Sequence, residues 1–530
     1  MSTVSPALDI ALNGGLVVDG TGAPARPLHV GVRDGRIAAL ATEPLAARRE
    51  IDATGQVVTP GFIDLHSHAD YSLEPTPGAD TQLTQGVTTL VTGNCGHSPF
   101  PVDEGGMLPR SGALDGSALS WTWKDTDGFR AAMTAVNPGV NLAFQLGHNA
   151  VRLAVLGMAD RAPDEDELRR MRALVEDAAR QGVVGFSTGL IYTPGLFAAT
   201  DEVRALVRTA AAHGLLYSTH MRNESSHVID AVREAIGTAE AAGARLEISH
   251  LKAMGPENHG AVTEALALLD AARERGVDVT ADVYPYTASS TGLISRLPAW
   301  AVDGGVDATL GRLADPAARE RIAGELRARF GRDIDPEGVV VAALPEGRYS
   351  GSVGRSIAGI GRAEGTDPAE AALRVLESHR CSVAIVNHAM SEDDVTAVLR
   401  HPWVSVASDG WVMTDERTGR PHPRSFGTFS RVLGRYVRER GVLTLEDAVR
   451  KMTSLPASRI GLTDRGVLRE GAAADVAVFD PAAVTDRSTY DEPWQLSTGF
   501  STVLVNGVPG LLGGELTRTP GAGRVLRRGA

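Results

Sequence analysis

The chain has 530 residues, 43% of them hydrophobic and 22% charged, with a formal net charge of −13. That length exceeds one ordinary domain and suits a large barrel with a smaller companion, and the composition excludes a disordered chain. An acidic balance without a basic stretch excludes nucleic acid as the main partner, and the chain has no apolar run of about 18 residues to span a membrane. The segment Met1 to Asp9 lacks the basic start and apolar core of a secretion signal, so a cytoplasmic protein is expected. Two cysteines, Cys95 and Cys381, cannot build a disulfide framework. Only three of the 52 basic residues are lysines: Lys124, Lys252 and Lys451.

The first 60 residues alternate short apolar runs with turn signals at Asn13-Gly14, Asp19-Gly20 and Asp34-Gly35. Ala474–Phe479 and Thr502–Val505 repeat the style at the other end. Neither end can bury a core alone, so 1–60 and 465–530 are expected to meet in one small β domain. Between them, strands alternate with helical patterns. The predicted strands are Gly61–His66, Val87–Thr92, Asn141–Leu146, Val183–Ser187, Leu216–Thr219, Arg245–Ser249, Asp278–Asp282, Ser382–Val386 and Trp403–Ser408. Helices are expected over Asp164–Gln181, Asp201–Ala212, Val228–Ala242 and Val262–Arg275. This βα rhythm predicts a parallel (β/α)8, TIM-like barrel over 61–464, with one of the nine strands accessory. The Arg-, Gly- and Pro-rich stretch 288–350 breaks the rhythm and is expected as an insertion over the barrel mouth.

The strongest local signal is Gly61-Phe62-Ile63-Asp64-Leu65-His66-Ser67-His68, an apolar strand ending in His-x-His. Residues i and i+2 share a face of a strand, so both imidazoles project together from its C-terminal end. That end of a barrel strand is a place for divalent-metal ligands. His220 and His250 close two later strands, and Asp409 follows Val404-Ser405-Val406-Ala407-Ser408. Four histidines and one aspartate in this order resemble the metal-dependent amidohydrolase superfamily. Many of its binuclear members bridge two metals with a lysine or glutamate, yet none of the three lysines fits such a place. The strand Val87–Thr92 instead leads into Gly93-Asn94-Cys95-Gly96, and Cys95, whose thiolate suits a soft metal, is expected as the bridging ligand. Cys381 opens a strand at the far end and is read as structural.

Further blocks narrow the resemblance. Phe186-Ser187-Thr188-Gly189-Leu190-Ile191-Tyr192-Thr193-Pro194-Gly195, His220-Met221-Arg222-Asn223-Glu224, Ser249-His250-Leu251-Lys252, Asp282-Val283-Tyr284-Pro285-Tyr286-Thr287 and His422-Pro423-Arg424 resemble the N-acyl-D-amino-acid deacylase (D-aminoacylase) family over nearly the whole chain. The resemblance implies a barrel, a small β-sandwich domain built from both termini and the mouth insertion. It implies one tightly bound zinc at Cys95, His220 and His250, and room for a second, weaker one at His66, His68 and Asp409. Lys252, Tyr284 and Arg424 match positions that hold the substrate carboxylate. Tyr192 follows a strand, where its hydroxyl could meet the scissile carbonyl.

The implied reaction is hydrolysis of a small N-acyl-D-amino acid to a carboxylate and a free D-amino acid. Asp409 is expected to take a proton from water and return it to the leaving amine. Preference for D over L comes from the resemblance alone. Two alternatives stand beside this one: a cyclic amide hydrolase of the hydantoinase or dihydropyrimidinase kind, and a non-catalytic scaffold on the same fold. Arg296 and His388 receive no role from the residues around them.

Overall fold

The computed structural model describes residues 7–103, 106, 108, 117–413, 417–517 and 521–528. Its centre is a sheet of eight parallel strands: β1 Phe62–Asp64, β2 Val87–Thr92, β3 Asn141–Gly147, β4 Gly185–Gly189, β5 Leu216–His220, β6 Arg245–Ile248, β7 Val279–Val283 and β8 Val404–Val406. They lie side by side in chain order. Strands such as β2 and β3 are buried along their whole length, as expected for a parallel sheet covered on both faces. Helices take the outer layer. Glu165–Arg180 starts with a reciprocal cap between Asp164 and Glu167 and buries Met171, Val175 and Ala178 on one side. No described helix is long and apolar enough to cross a membrane.

The eight strands are not closed by a full ladder. β8 meets β1 through one parallel bridge between Ser67 and Gly410. The Asp409 amide donates to the His66 carbonyl at 2.7 Å, and the His68 amide donates to Gly410 at 2.8 Å. The barrel therefore shuts at the end where the predicted ligands stand.

Of the nine predicted strands, Ser382–Val386 is the accessory one. It is observed as Ala384–His388 and pairs antiparallel with Ala288–Gly292 and Val339–Ala343. The inserted segment thus runs past the expected limit of 350 and returns at His388. It has its own core, including Leu293, Ile322, Val339, Leu373 and Ile385. Continuous apolar strands look alike whether they sit in a barrel or in a small covered sheet, so composition could not separate them.

Both ends of the chain join one nine-stranded sheet. The junction is Val57–Pro60 against Val476–Phe479, antiparallel. Val57 and Phe479 face the barrel-side core, while Val58 and Val478 face the sheet's own core. Asp34-Gly35 forms the expected tight hairpin with both residues at positive φ, 51° and 72°. Asn13-Gly14 does not turn the chain. It lies inside the strand Leu8–Val17, where the register shifts between Leu12 and Gly15. A single strand with a bulge replaces the two expected runs.

Asp475 fastens this sheet to the barrel floor. Its carboxylate accepts from the Asn141 side chain at 3.0 Å and the Asn506 amide at 2.7 Å, and it pairs with buried Arg465. Asp475→Ala leaves Arg465 with only the partly exposed Asp464 for a partner. The expected loss is roughly 3 kcal/mol of stability, read from the urea midpoint; a loss below about 1 kcal/mol, the scale of an exposed pair, would show that the junction does not depend on this carboxylate.

Candidate metal centre

The mouth of the barrel gathers six buried donors. His66 and His68 follow β1, Cys95 follows β2, His220 ends β5, His250 follows β6 and Asp409 follows β8. Cys95, His250 and Asp409 all have positive φ, 53°, 35° and 50°. Non-glycine residues avoid that region, so each turn is held by its neighbours. The turn at Cys95 depends on close backbone approach. Gly93 has φ 81°, and a Cβ there would lie 2.1 Å from the Gln145 carbonyl. A Cβ on Gly189 would lie 1.9 Å from the Cys95 carbonyl. Asn94 pins the turn by donating to Val91 at 2.9 Å while accepting from Gln145 at 2.7 Å.

The donors fall into two groups that share one sulfur. His66, His68, Cys95 and Asp409 form one, and Cys95, His220 and His250 form the other. Cys95 Sγ lies 3.3 Å from His66 Nε2, 3.6 Å from His220 Nδ1 and 3.4 Å from His250 Nε2. Asp409 Oδ1 lies 3.4 Å from His66 Nε2 and 3.1 Å from His68 Nε2. Tetrahedral zinc with bonds of about 2.0–2.3 Å requires donor separations of roughly 3.4–3.6 Å. The Cys95, His220 and His250 distances meet that requirement, and the donors are the nitrogen and sulfur types zinc takes. The residues fit the ion, and each group could hold one.

The charges fit as well. Burial resists ionisation of Cys95, but the surrounding His66, His220 and His68 rings pull its thiol well below the usual range. Burial also resists ionisation of Asp409, yet Arg424, 2.7 Å from Oδ2, and His66 hold it well below the usual carboxylate range. Burial and Lys252 push His250 down to about 3, which leaves its imidazole neutral. Glu224 and Cys95 raise His220 to about 9 against the pull of burial. Cys381 differs from Cys95: burial pushes its thiol up to about 11, and it sits in the insertion core.

Two carboxylates behind the ligands were not singled out from the sequence. Glu224 Oε1 stands 3.0 Å from His250 Nδ1, and Oε2 stands 3.3 Å from His220 Nε2. Asp282 at the end of β7 reaches His66 Nδ1 at 3.4 Å and accepts from the His250 amide at 2.8 Å. Carboxylates in such places fix the tautomer and tilt of a metal-binding ring. The i+4 spacing of Glu224 after a strand-end histidine was the one local signal. Asp282 lies on a different strand from both residues it touches.

The predicted substrate residues converge here too, with a difference. Lys252 does not extend β6. Its Nζ donates to Glu224 at 2.5 Å and to the His250 carbonyl at 2.9 Å. Arg424 is tied to Asp409 and lies 5.0 Å from the Tyr284 ring. The Tyr284 hydroxyl is buried without a hydrogen-bond partner among the described residues. Tyr192 packs its ring 4.9 Å from His220 and accepts from Thr291 of the insertion at 3.3 Å. Arg296 is 8% exposed, and its Nε has no partner among the described residues. His388 is exposed, 4.6 Å from the Tyr490 ring.

The geometry makes Cys95 a donor to both groups. Cys95→Ala is expected to abolish tight zinc binding, measured by metal analysis after dialysis against a weak chelator. In the wild type, zinc must displace the His220 proton, so apparent affinity should rise about tenfold per pH unit from 7 towards 9. Full zinc in the variant would contradict the shared-sulfur geometry, and a flat pH profile would contradict a protonated His220 in the metal-free protein.

Comparison with known proteins shows the family of the chain. Residues 49–509 match the model of the Amidohydrolase family. The chain is 39% identical over 524 residues to the N-acyl-D-glutamate deacylase of Alcaligenes xylosoxydans xylosoxydans, covering 99% of this chain and 97% of that protein. It is 37% identical to the D-aminoacylase of the same organism, covering 99% of each. Its fold matches the crystal structure of N-acyl-D-glutamate deacylase from Bordetella bronchiseptica, complexed with zinc and a phosphonate inhibitor, with a TM-score of 0.85, 38% identity and coverage of 98% of this chain and 100% of that one. The chain belongs to the amidohydrolase family, within the branch that holds the D-aminoacylases.

Proposed function

We propose that this protein is a zinc-dependent hydrolase of the amide bond in N-acyl-D-amino acids, releasing a carboxylate and a free D-amino acid. The observation that carries the reading is the pair of buried donor groups joined at Cys95, in a chain similar over its full length to deacylases of this class. Bound zinc supplies Lewis acidity, which polarises the amide carbonyl and brings the pKa of water towards neutrality.

The remaining work falls to side chains. Asp409 turns Oδ1 to the histidines and Oδ2 to Arg424. Held ionised, it starts as the base, takes a proton from water and gives it to the departing amine. Three cations stand around the mouth. Lys252 and Arg424 are matched by Glu224 and Asp409, while Arg296 makes no ion pair among the described residues. The unpaired Arg296 suits a substrate that brings a carboxylate of its own. An incoming carboxylate would compete for Arg424 and loosen its hold on Asp409, which strengthens the base. The Tyr284 ring lies 5.6 Å from Lys252 Nζ and 5.0 Å from the Arg424 guanidinium, and its hydroxyl has no partner among the described residues. Tyr192, its ring against His220, is assigned to the acyl carbonyl.

A cyclic-amide substrate is disfavoured, because a cysteine replaces the lysine bridge and Lys252 is committed to Glu224. A scaffold would have no use for six converging donors. A cytoplasmic setting is proposed because both cysteines are free thiols, which a reducing compartment preserves.

The reading is tested with paired N-acetyl-D- and N-acetyl-L-amino acids on the zinc-loaded protein. Turnover is expected on the D series and should vanish in Asp409→Asn with zinc still bound; failure on every D substrate would end the proposal. Tyr284→Phe removes one hydroxyl donor, worth roughly 1.5–3 kcal/mol against a charge. It should cost about 10- to 100-fold in kcat/KM on the acid and far less on the matching carboxamide. Equal losses on both would remove Tyr284 from carboxylate recognition.

A further inference from the structure

We propose that Asp282 is a positioning residue that couples the two metal subsites and decides whether the subsite of His66, His68 and Asp409 can fill. The inference rests on the metal reading above and goes beyond it. Asp282 is 1% exposed and lies within β7, in register with Ser405 of β8. Its two oxygens serve different subsites. Oδ1 accepts the His250 amide at 2.8 Å, and Oδ2 faces His66 Nδ1 at 3.4 Å.

The first contact explains a strained backbone. His250 has φ 35°, and its amide donates to the Asp282 side chain rather than to the ladder. A buried amide needs an acceptor, and Oδ1 supplies it. The backbone carbonyl of Asp282 accepts the next amide, Leu251, at 2.9 Å. The residue therefore grips the turn that carries His250.

The second contact sets a tautomer. A neutral imidazole has one ring proton. With that proton on Nδ1 and directed at Oδ2, His66 presents the lone pair of Nε2 to Cys95 and Asp409, which lie 3.3 and 3.4 Å away. Moving the proton to Nε2 would disable His66 as a ligand. Among the described residues no hydrogen bond or ion pair runs from Asp282 to His220 or Cys95, so the subsite of Cys95, His220 and His250 depends on Asp282 through the His250 turn, where it accepts the His250 and Leu251 amides.

Asp282→Asn separates the two contacts. The His250 amide still requires an oxygen, which fixes the orientation of the new side chain. Its NH2 group then faces His66 Nδ1 and forces that nitrogen to accept, so the ring proton moves to Nε2. Asp282→Ala removes both contacts.

The test is zinc stoichiometry and affinity by chelator competition on the full chain, with wild type, both variants and His66→Ala side by side. The wild type is expected to take two zinc ions. Asp282→Asn should keep the first within a few-fold and lose at least 10-fold on the second, matching His66→Ala, with an unchanged Tm in the metal-free form. Asp282→Ala should weaken both. Two ions at wild-type affinity in Asp282→Asn, equal weakening of both ions there, or a wild type that stops at one ion would overturn the proposal. A wild type that takes none would overturn the metal reading itself. If Asp282→Asn does not fold, 15N-histidine spectra of the wild-type zinc form decide: a proton on His66 Nδ1 is expected, and a proton on Nε2 would overturn it.

Discussion

The sulfur of Cys95 is the point on which the rest of the site depends. Three imidazole nitrogens, from His66, His220 and His250, approach it within 3.3–3.6 Å. Those histidines come from β1, β5 and β6, and Cys95 follows β2. A cysteine side chain is short, so its backbone must come close to all of them. That need explains the left-handed turn at Cys95, the glycine at 93 and the bare flank of Gly189, where any Cβ would strike the Cys95 carbonyl.

Strain follows from the same need. Residues forced into sparsely populated backbone regions cost about 1–3 kcal/mol each, and Cys95, His250 and Asp409 all occupy the left-handed region. The surrounding structure holds them there. Gly96 donates to Ser187 at 3.0 Å, Asp282 takes the His250 amide, and the Asp409 amide closes the barrel onto His66. Barrel closure and ligand placement are thus one set of hydrogen bonds. The electrostatics are equally shared: Glu224 binds Lys252 and faces two histidines, while Arg424 holds Asp409.

Much of this was legible in the sequence where a local rule governs it. The βα rhythm predicts the barrel, and the His-x-His motif predicts two imidazoles side by side; the His66 and His68 rings do lie 5.7 Å apart, although the strand ends before them at Asp64. Asp34-Gly35 turns as its composition demands. Failures occurred where distant partners decide. Ser382–Val386 is as apolar as a barrel strand and became the middle strand of the insertion because Ala288–Gly292 and Val339–Ala343 flank it. Asn13-Gly14 carries a turn composition, yet pairing on both sides with Arg26–Arg33 and Ala47–Asp52 keeps it inside a strand as a bulge. Lys252 follows a ligand closely enough to suggest an open cation, and only the fold brings Glu224 against it. Asp282 is separated from His66 by 216 positions, and no spacing rule reaches that far. Ligands sit at strand ends and can be read; the groups that aim them are defined by contact.

The shared sulfur is tested most directly by diffraction from crystals of the zinc-loaded protein, with anomalous data collected on both sides of the zinc absorption edge. The account predicts a zinc peak bonded to Cys95, His220 and His250, about 2.3 Å from the sulfur and 2.0–2.1 Å from the two nitrogens. A second peak, when present, should share the same sulfur with His66, His68 and Asp409. Zinc bound without Cys95, or held by other residues, would contradict it.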